Sequence, residues 1–363
     1  MKKIPVKLKK NRYDVMVGAG LLARAGRLLR QHLPSRNSSV FVITSPTVRR
    51  HWGEQLEKSF KREGLSYQVL EMNDGEPAKR LHTVEQLAEQ MVEAGADRKT
   101  LVVAFGGGVV GDSAGFLASI FMRGLPVVQI PTTVLAQVDA SIGGKTGVNL
   151  RAGKNMIGTF HQPAAVLVDP EILGTLDEKE FRAGLFESLK CGVIRDRELF
   201  DFMARHSRKI RPSEGKALER VIVDSIRVKA NVVATDERES GLRRILNFGH
   251  TIGHALESGT SYTQLLHGEA VALGMIAATE IARDIGLCAE SIAQQIQAAI
   301  YSYGPLPAVK ANTNEIMSRL TSDKKTVAGT IHFVLPVKIG QVKIVGGVDH
   351  AIVEKAVRAV INT

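Results

Sequence analysis

Four short apolar runs, separated by stretches of helical period, constrain the fold of this chain most. They are VFVIT (40–44), LVVAF (101–105), PVVQI (126–130) and AVLVD (165–169). Between the first two lies TVEQLAEQMVEAG (83–95), with Leu87, Met91 and Ala94 on one helical side. Short apolar strands separated by helices predict a parallel α/β sheet. After LGTLDEKEF the character changes. From about residue 177 to 320 the chain shows long helix-period stretches and almost no strand signal. ALERVIVDSIRVKANVVA (217–234) spaces Val221, Ile222, Ser225, Ile226 and Lys229 helically, and GEAVALGMIAATEIARDIG reads as another helix. TIHFVLP and QVKIVGG are expected to pair as a small hairpin. This predicts an α/β domain over 1–176 and a mostly α-helical domain over 177–363.

A chain of 363 residues, 44% hydrophobic and 23% charged, can bury a sizeable core without staples. Its two cysteines, Cys191 and Cys288, are too few for a disulfide framework and point to a reducing cytoplasm. The basic start MKKIPVKLKK is followed by no apolar core with a cleavage site, and VMVGAGLLARAGRLL is broken by Arg24 and Arg27. Neither a secretory leader nor a membrane span is expected. The net charge of +11 would suit nucleic acid, an anionic surface or an anionic small molecule. The charge is dispersed and aromatics are only 5%, which argues against nucleic acid.

LVVAFGGGVVGDSAGFLAS reads as a strand, a glycine turn with Gly106, Gly107, Gly108 and Gly111, and a helix. Such a turn lets backbone N–H groups approach a pyrophosphate, but it is not G-x-G-x-x-G and alone is a weak dinucleotide signal. The segment 131–163 is more specific. It gathers Asp139, Lys145, Asn149, Lys154 and Asn155 between glycines, as expected of loops that capture phosphate or carboxylate. FRAGLFESLKCGVI puts Glu187 and Lys190 on one helix face. In NFGHTIGH, His250 and His254 stand four apart, a spacing that often holds a metal, and His267 follows in LLHGEAV. Spacing alone favours His250 and His254 as the ligand pair. HTIGH lacks the Glu of H-E-x-x-H, so a metalloprotease is not supported.

Taken in order, GGGVVGDSAGF, MRGLPVVQIPTTVLAQVDASIGGKTGVN, GKNMIGTFHQP, LNFGHTIGHALE, HGEAVALGM and DKKTVAGTIHFVLP closely resemble the 3-dehydroquinate synthase family of sugar phosphate cyclases. The resemblance implies a Rossmann-like NAD domain, a helical second domain and a homodimer. It implies a metal, zinc or cobalt, held by Glu187, His250 and His267, and so replaces His254 as a ligand. NAD would be cradled by Gly107, Gly108, Asp112, Thr132 and Thr133, with Glu76, Lys79 and Thr175 near its adenosine part and Lys145 and Lys154 also beside it. Substrate would meet Arg123, Asp139, Lys145, Lys154, Asn155, Lys190, Lys229, Arg243, Asn247 and His254, joined by a tail lysine, Lys324 or its neighbour Lys325. Arg123 would reach the neighbouring subunit's site. Ser45 stands where relatives carry Asp or Asn, and FESLKCG replaces the usual AEVIKYG while keeping Glu187 and Lys190.

The implied substrate is a small phosphorylated sugar acid, 3-deoxy-D-arabino-heptulosonate 7-phosphate. Oxidation by NAD, β-elimination of phosphate, reduction, ring opening and aldol closure would yield 3-dehydroquinate. An iron- or zinc-dependent alcohol or glycerol dehydrogenase would share the glycine turn and the histidines. Its neutral substrates would not need the lysine-rich GGKTGVN and GKNMIG segments. A related cyclase of secondary metabolism is the other alternative, and Asn247 is the synthase-like residue.

Overall fold

The computed structural model describes residues 1–9, 11–151, 153–322 and 330–361, with the side chains of 321 and 322 left aside. The chain forms two compact units. The first comprises Met1–Asp177 with Pro212–Arg238, and the second Glu178–Arg211 with Glu239–Thr363.

The first unit is built on a seven-stranded sheet. Its strands are β1 (Lys2–Lys7), β2 (Arg12–Val17), β3 (Val40–Thr44), β4 (Tyr67–Glu71), β5 (Leu101–Gly106), β6 (Val127–Pro131) and β9 (Ala165–Val168), in the order β1-β2-β9-β6-β5-β3-β4. All neighbours run parallel except the edge pair β1–β2. The four runs read as strands from the sequence are the four central strands. Their residues alternate between two cores. Phe41, Ile43, Val102 and Ala104 pack with the Leu81–Glu93 and Gly108–Ile120 helices. Val40, Val42, Leu101, Val103 and Phe105 face the opposite way, against Leu22, Leu29, Leu56 and Phe60. Both faces are therefore dry, which explains why the strands are apolar throughout rather than alternating. This is the Rossmann-like arrangement expected.

Two features differ from the sequence reading. Residues 131–163 are not loops alone: Ala136–Ala140 is a helical turn, and β7 (Lys145–Leu150) pairs antiparallel with β8 (Gly153–Phe160). Gly147 and Gly158 oppose each other in that hairpin. The Gly215–Thr235 helix, read as part of the helical half, belongs to the first unit and packs on β1 and the Ala136–Ala140 turn.

In the second unit the His267–Asp284 helix is central. It packs against the Glu178–Arg195, His250–Gly259, Glu290–Tyr301 and His350–Ile361 helices and against the hairpin of β10 (His332–Lys338) and β11 (Gln341–Gly346). Almost every residue from Gly268 to Ala282 is buried, as expected of a helix enclosed by neighbours. Among the described residues, no helix is long and apolar enough to cross a membrane.

Candidate active site

The second unit carries the metal-type cluster. Two glycines bring its helices into backbone contact. A Cβ on Gly268 would overlap the carbonyl oxygen of Ala183, and one on Gly274 would overlap that of Gly249. Gly249 itself has a φ of 80°, a left-handed turn that starts the histidine helix. The backbones can thus approach closely enough for Glu187, His250 and His267, from three helices, to converge.

Glu187 is 1% exposed. Its Oε1 lies 3.6 Å from His250 Nε2 and 3.7 Å from His267 Nε2. Lys190, equally buried, touches Oε2. Neither carboxylate oxygen accepts an aligned hydrogen bond, although both are inaccessible to solvent. Lys190 already compensates Oε2, so it is Oε1, buried and facing two imidazoles, that a further cation would complete. Each histidine turns its other ring nitrogen away. His250 Nδ1 is 3.2 Å from the Phe248 carbonyl, and His267 Nδ1 is 3.1 Å from Glu257 Oε2. An Nδ1–H donated to these acceptors leaves Nε2 as a lone pair aimed at Glu187, the tautomer a metal ligand needs. The donor set fits zinc or cobalt.

His254 is also close. Ring nitrogens of His250, His254 and His267 all lie within 4.8 Å of one another. This grouping gives three histidines, and Glu187 Oε1 contacts two of them, His250 and His267. Nearby, Asn247 Nδ2 donates to Glu239 Oε1 at 2.7 Å, and Arg243 is fully buried.

The first unit carries a polar and cationic cluster. β5 ends at Gly106, Gly107 is extended, and Gly108 opens the helix to Ile120. A Cβ on Gly107 would lie 3.0 Å from Thr133, so the turn fits closely under the Thr132–Thr133 segment. The free N–H groups of this helix start suit a pyrophosphate. One turn along, Asp112 receives the Lys79 ammonium at 2.5 Å, and Lys79 also donates to Asn155 Oδ1 at 2.5 Å. Burial pushes the Asp112 carboxyl above the usual carboxylate range, and Lys79 opposes that rise. Asn149 Nδ2 donates to Glu76 Oε1 at 2.7 Å. Lys229 Nζ meets Asp139 twice, at its carbonyl (2.7 Å) and its Oδ1 (2.6 Å). Thr175 is exposed and its hydroxyl accepts from the Trp52 indole at 2.8 Å. Lys145 is exposed and Lys154 half-buried, on opposite strands of the hairpin. Arg123 is exposed and follows Met122 into the left-handed region, with φ of 74° and 46°. Lys324 and Lys325 lie outside the described residues.

Three contributors escaped the sequence reading. Glu257 stands seven residues after His250 and so on its helix face, a spacing that could have found it. Glu239 and Trp52 had no motif to announce them.

The chain matches the family model described as 3-dehydroquinate synthase N-terminal over residues 69–183, and the C-terminal model of the same family over 184–326. It is 52% identical over 355 residues to the 3-dehydroquinate synthase of Koribacter versatilis, covering 98% of this chain and 97% of that one. Among solved structures it resembles 2-epi-5-epi-valiolone synthase from Streptomyces hygroscopicus with NAD+ and Zn2+ bound, with a TM-score of 0.89 and 32% identity over 97% of this chain and 98% of that chain. A 2-deoxy-scyllo-inosose synthase complexed with carbaglucose-6-phosphate, NAD+ and Co2+ gives a TM-score of 0.86 and 26% identity over 99% of this chain and 100% of that one.

Proposed function

Because the chain belongs to the 3-dehydroquinate synthase family, we propose that it converts 3-deoxy-D-arabino-heptulosonate 7-phosphate into 3-dehydroquinate and phosphate. The observation that carries this is the 52% identity to a synthase along nearly the whole of both chains. Identity falls to 32% and 26% for the two other cyclases, which disfavours their substrates.

We assign NAD to Gly107, Gly108, Asp112, Thr132, Thr133, Glu76, Lys79 and Thr175, with Lys145 and Lys154 beside it. Zinc or cobalt goes to Glu187, His250 and His267. When bound, NAD accepts and returns a hydride, and the metal polarises a hydroxyl as a Lewis acid. The remaining work belongs to side chains. Lys145, Lys154, Lys190, Lys229, Arg123 and Arg243 offer cations to a substrate carrying both phosphate and carboxylate. Asn155 and Asn247 orient its hydroxyls. Asp139 holds Lys229, and the pair keeps an ammonium fixed by two contacts. His254 is assigned outside the metal set, where it would hydrogen-bond the substrate phosphate or carry its proton. A tail lysine, Lys324 or Lys325, closes the set.

The reading extends to a cytoplasmic homodimer in aromatic amino acid biosynthesis, acting on a small molecule rather than nucleic acid or a membrane. Two buried cysteines outside any disulfide and the exposed Arg123 support it. The test is to incubate the protein with NAD, metal and the heptulosonate phosphate. Phosphate and dehydroquinate are expected in equal amounts with no accumulating NADH. Steady NADH formation from glycerol or simple alcohols, without phosphate release, would instead identify a dehydrogenase.

A further inference from the structure

Asn149 is buried in the hairpin of the first unit. The β7–β8 register breaks at this residue, between the Val148↔Ile157 and Leu150↔Gly153 pairs. Its backbone leaves that ladder and instead bridges Arg80, with its N–H donating to the Lys79 carbonyl at 2.9 Å. Both ends of its side chain are committed. Nδ2 donates to Glu76 Oε1 at 2.7 Å, and Oδ1 accepts from the backbone N–H of Asn155 at 2.8 Å.

Asn155 is in the left-handed region, with a φ of 53°. A non-glycine residue held there needs support from its surroundings. The bond from Asn149 supplies it, and it turns the Asn155 side chain so that Oδ1 meets Lys79. Lys79 in turn reaches Asp112. A single buried amide thus sets Glu76 through its nitrogen and the Asn155–Lys79–Asp112 chain through its oxygen.

We propose that Asn149 is a positioning residue serving both ligands, its amide oxygen holding the substrate-side Asn155 and its amide nitrogen the NAD-side Glu76. This rests on the ligand assignments made under the proposed function. The oxygen end also reaches the NAD-side Lys79 and Asp112 through Asn155, so the bond that can be removed for NAD alone is the one to Glu76. Asn149→Ala removes both bonds. Asn149→Asp keeps an oxygen for the Asn155 N–H but replaces the donor to Glu76 with a second carboxylate.

The experiment measures the Michaelis constant for the heptulosonate phosphate at saturating NAD and metal, and the NAD dissociation constant of the metal-loaded protein. Asn149→Ala is expected to raise both by about tenfold, the scale of one lost buried hydrogen bond. Asn149→Asp is expected to raise the NAD constant by about tenfold while the substrate constant stays within about threefold of wild type. A residue that merely stabilises the fold would lower the melting temperature without splitting the two constants. Equal shifts of both constants in Asn149→Asp, or wild-type values for both, overturn the proposal; Asn149→Asp alone suffices if Asn149→Ala does not fold. A wild-type protein that releases no phosphate would overturn the functional assignment first, and this inference with it.

Discussion

Gly268→Ala is the sharpest test of how the metal cluster is built. In a helix interior this substitution on its own favours folding by about 0.5–1 kcal/mol. Here the added methyl would overlap the Ala183 carbonyl oxygen, which is backbone and cannot rotate aside. Overpacking of this kind costs about 1–3 kcal/mol, so the net loss is up to about 2.5 kcal/mol. For a chain of 363 residues that lowers the melting temperature by up to roughly 3 °C. The second effect is local. The added methyl would sit 1.9 Å from the Ala183 carbonyl oxygen. Relief therefore requires the Glu178–Arg195 and His267–Asp284 helices to part by roughly 1.6–2.1 Å, since carbon atoms rest about 3.5–4.0 Å from their neighbours. Glu187 lies one turn beyond Ala183, and His267 precedes Gly268 directly. Metal–ligand distances tolerate only about 0.2 Å, so metal affinity should fall at least about tenfold. Gly215→Ala is the control, because nothing lies within 4 Å of its added methyl. Thermal unfolding and chelator competition on both variants check this. A Gly268→Ala protein that melts and binds metal like wild type would refute the close-approach argument.

Two further outcomes are expected. His250→Ala and His267→Ala should lose stoichiometric metal on dialysis, whereas His254→Ala should keep it and turn over slowly; elemental analysis that finds the reverse for His254 and His267 restores the simple i,i+4 pair. Lys79→Met removes the cation that opposes the raised Asp112 pKa. A carboxyl with a raised folded pKa binds more protons folded than unfolded, so its contribution to stability declines as pH rises above about 4. The melting temperature of Lys79→Met should therefore fall relative to wild type as pH rises above about 4, and Lys79→Met/Asp112→Asn should lose that extra slope.

The central strands were legible because both faces are buried, leaving uninterrupted apolar runs. The edge strands were not. β1 buries Ile4 and Val6 but exposes Lys2, Lys3, Pro5 and Lys7, so it read as a basic start. Its proline is tolerated because an edge strand has N–H positions that face no partner. β4 buries no residue fully and gave no strand signal. The hairpin escaped because its glycines read as loop punctuation, whereas Gly147 and Gly158 oppose each other in its ladder. At the site, helical spacing found His250 and His254 but could not weigh them against Glu187 and His267, which arrive from other helices. That convergence depends on tertiary contacts of Gly268 and Gly274, which no local pattern encodes.

The Gly215–Thr235 helix has a consequence for biosynthesis. The first unit does not end at residue 177, since its last segment is Pro212–Arg238. A nascent chain that has exposed the whole sheet still lacks the helix that covers β1 and carries Lys229 to Asp139. At about 5–20 residues per second, the 61 residues from 177 to 238 take roughly 3–12 s to emerge. During that interval β1 is without this helix, and Glu178–Arg211 emerges ahead of the rest of its own unit. The interleaved order makes the two units depend on each other's synthesis. A chaperone that shields β1 until residue 238 appears would act at the one stage when the sheet is complete and its edge is bare.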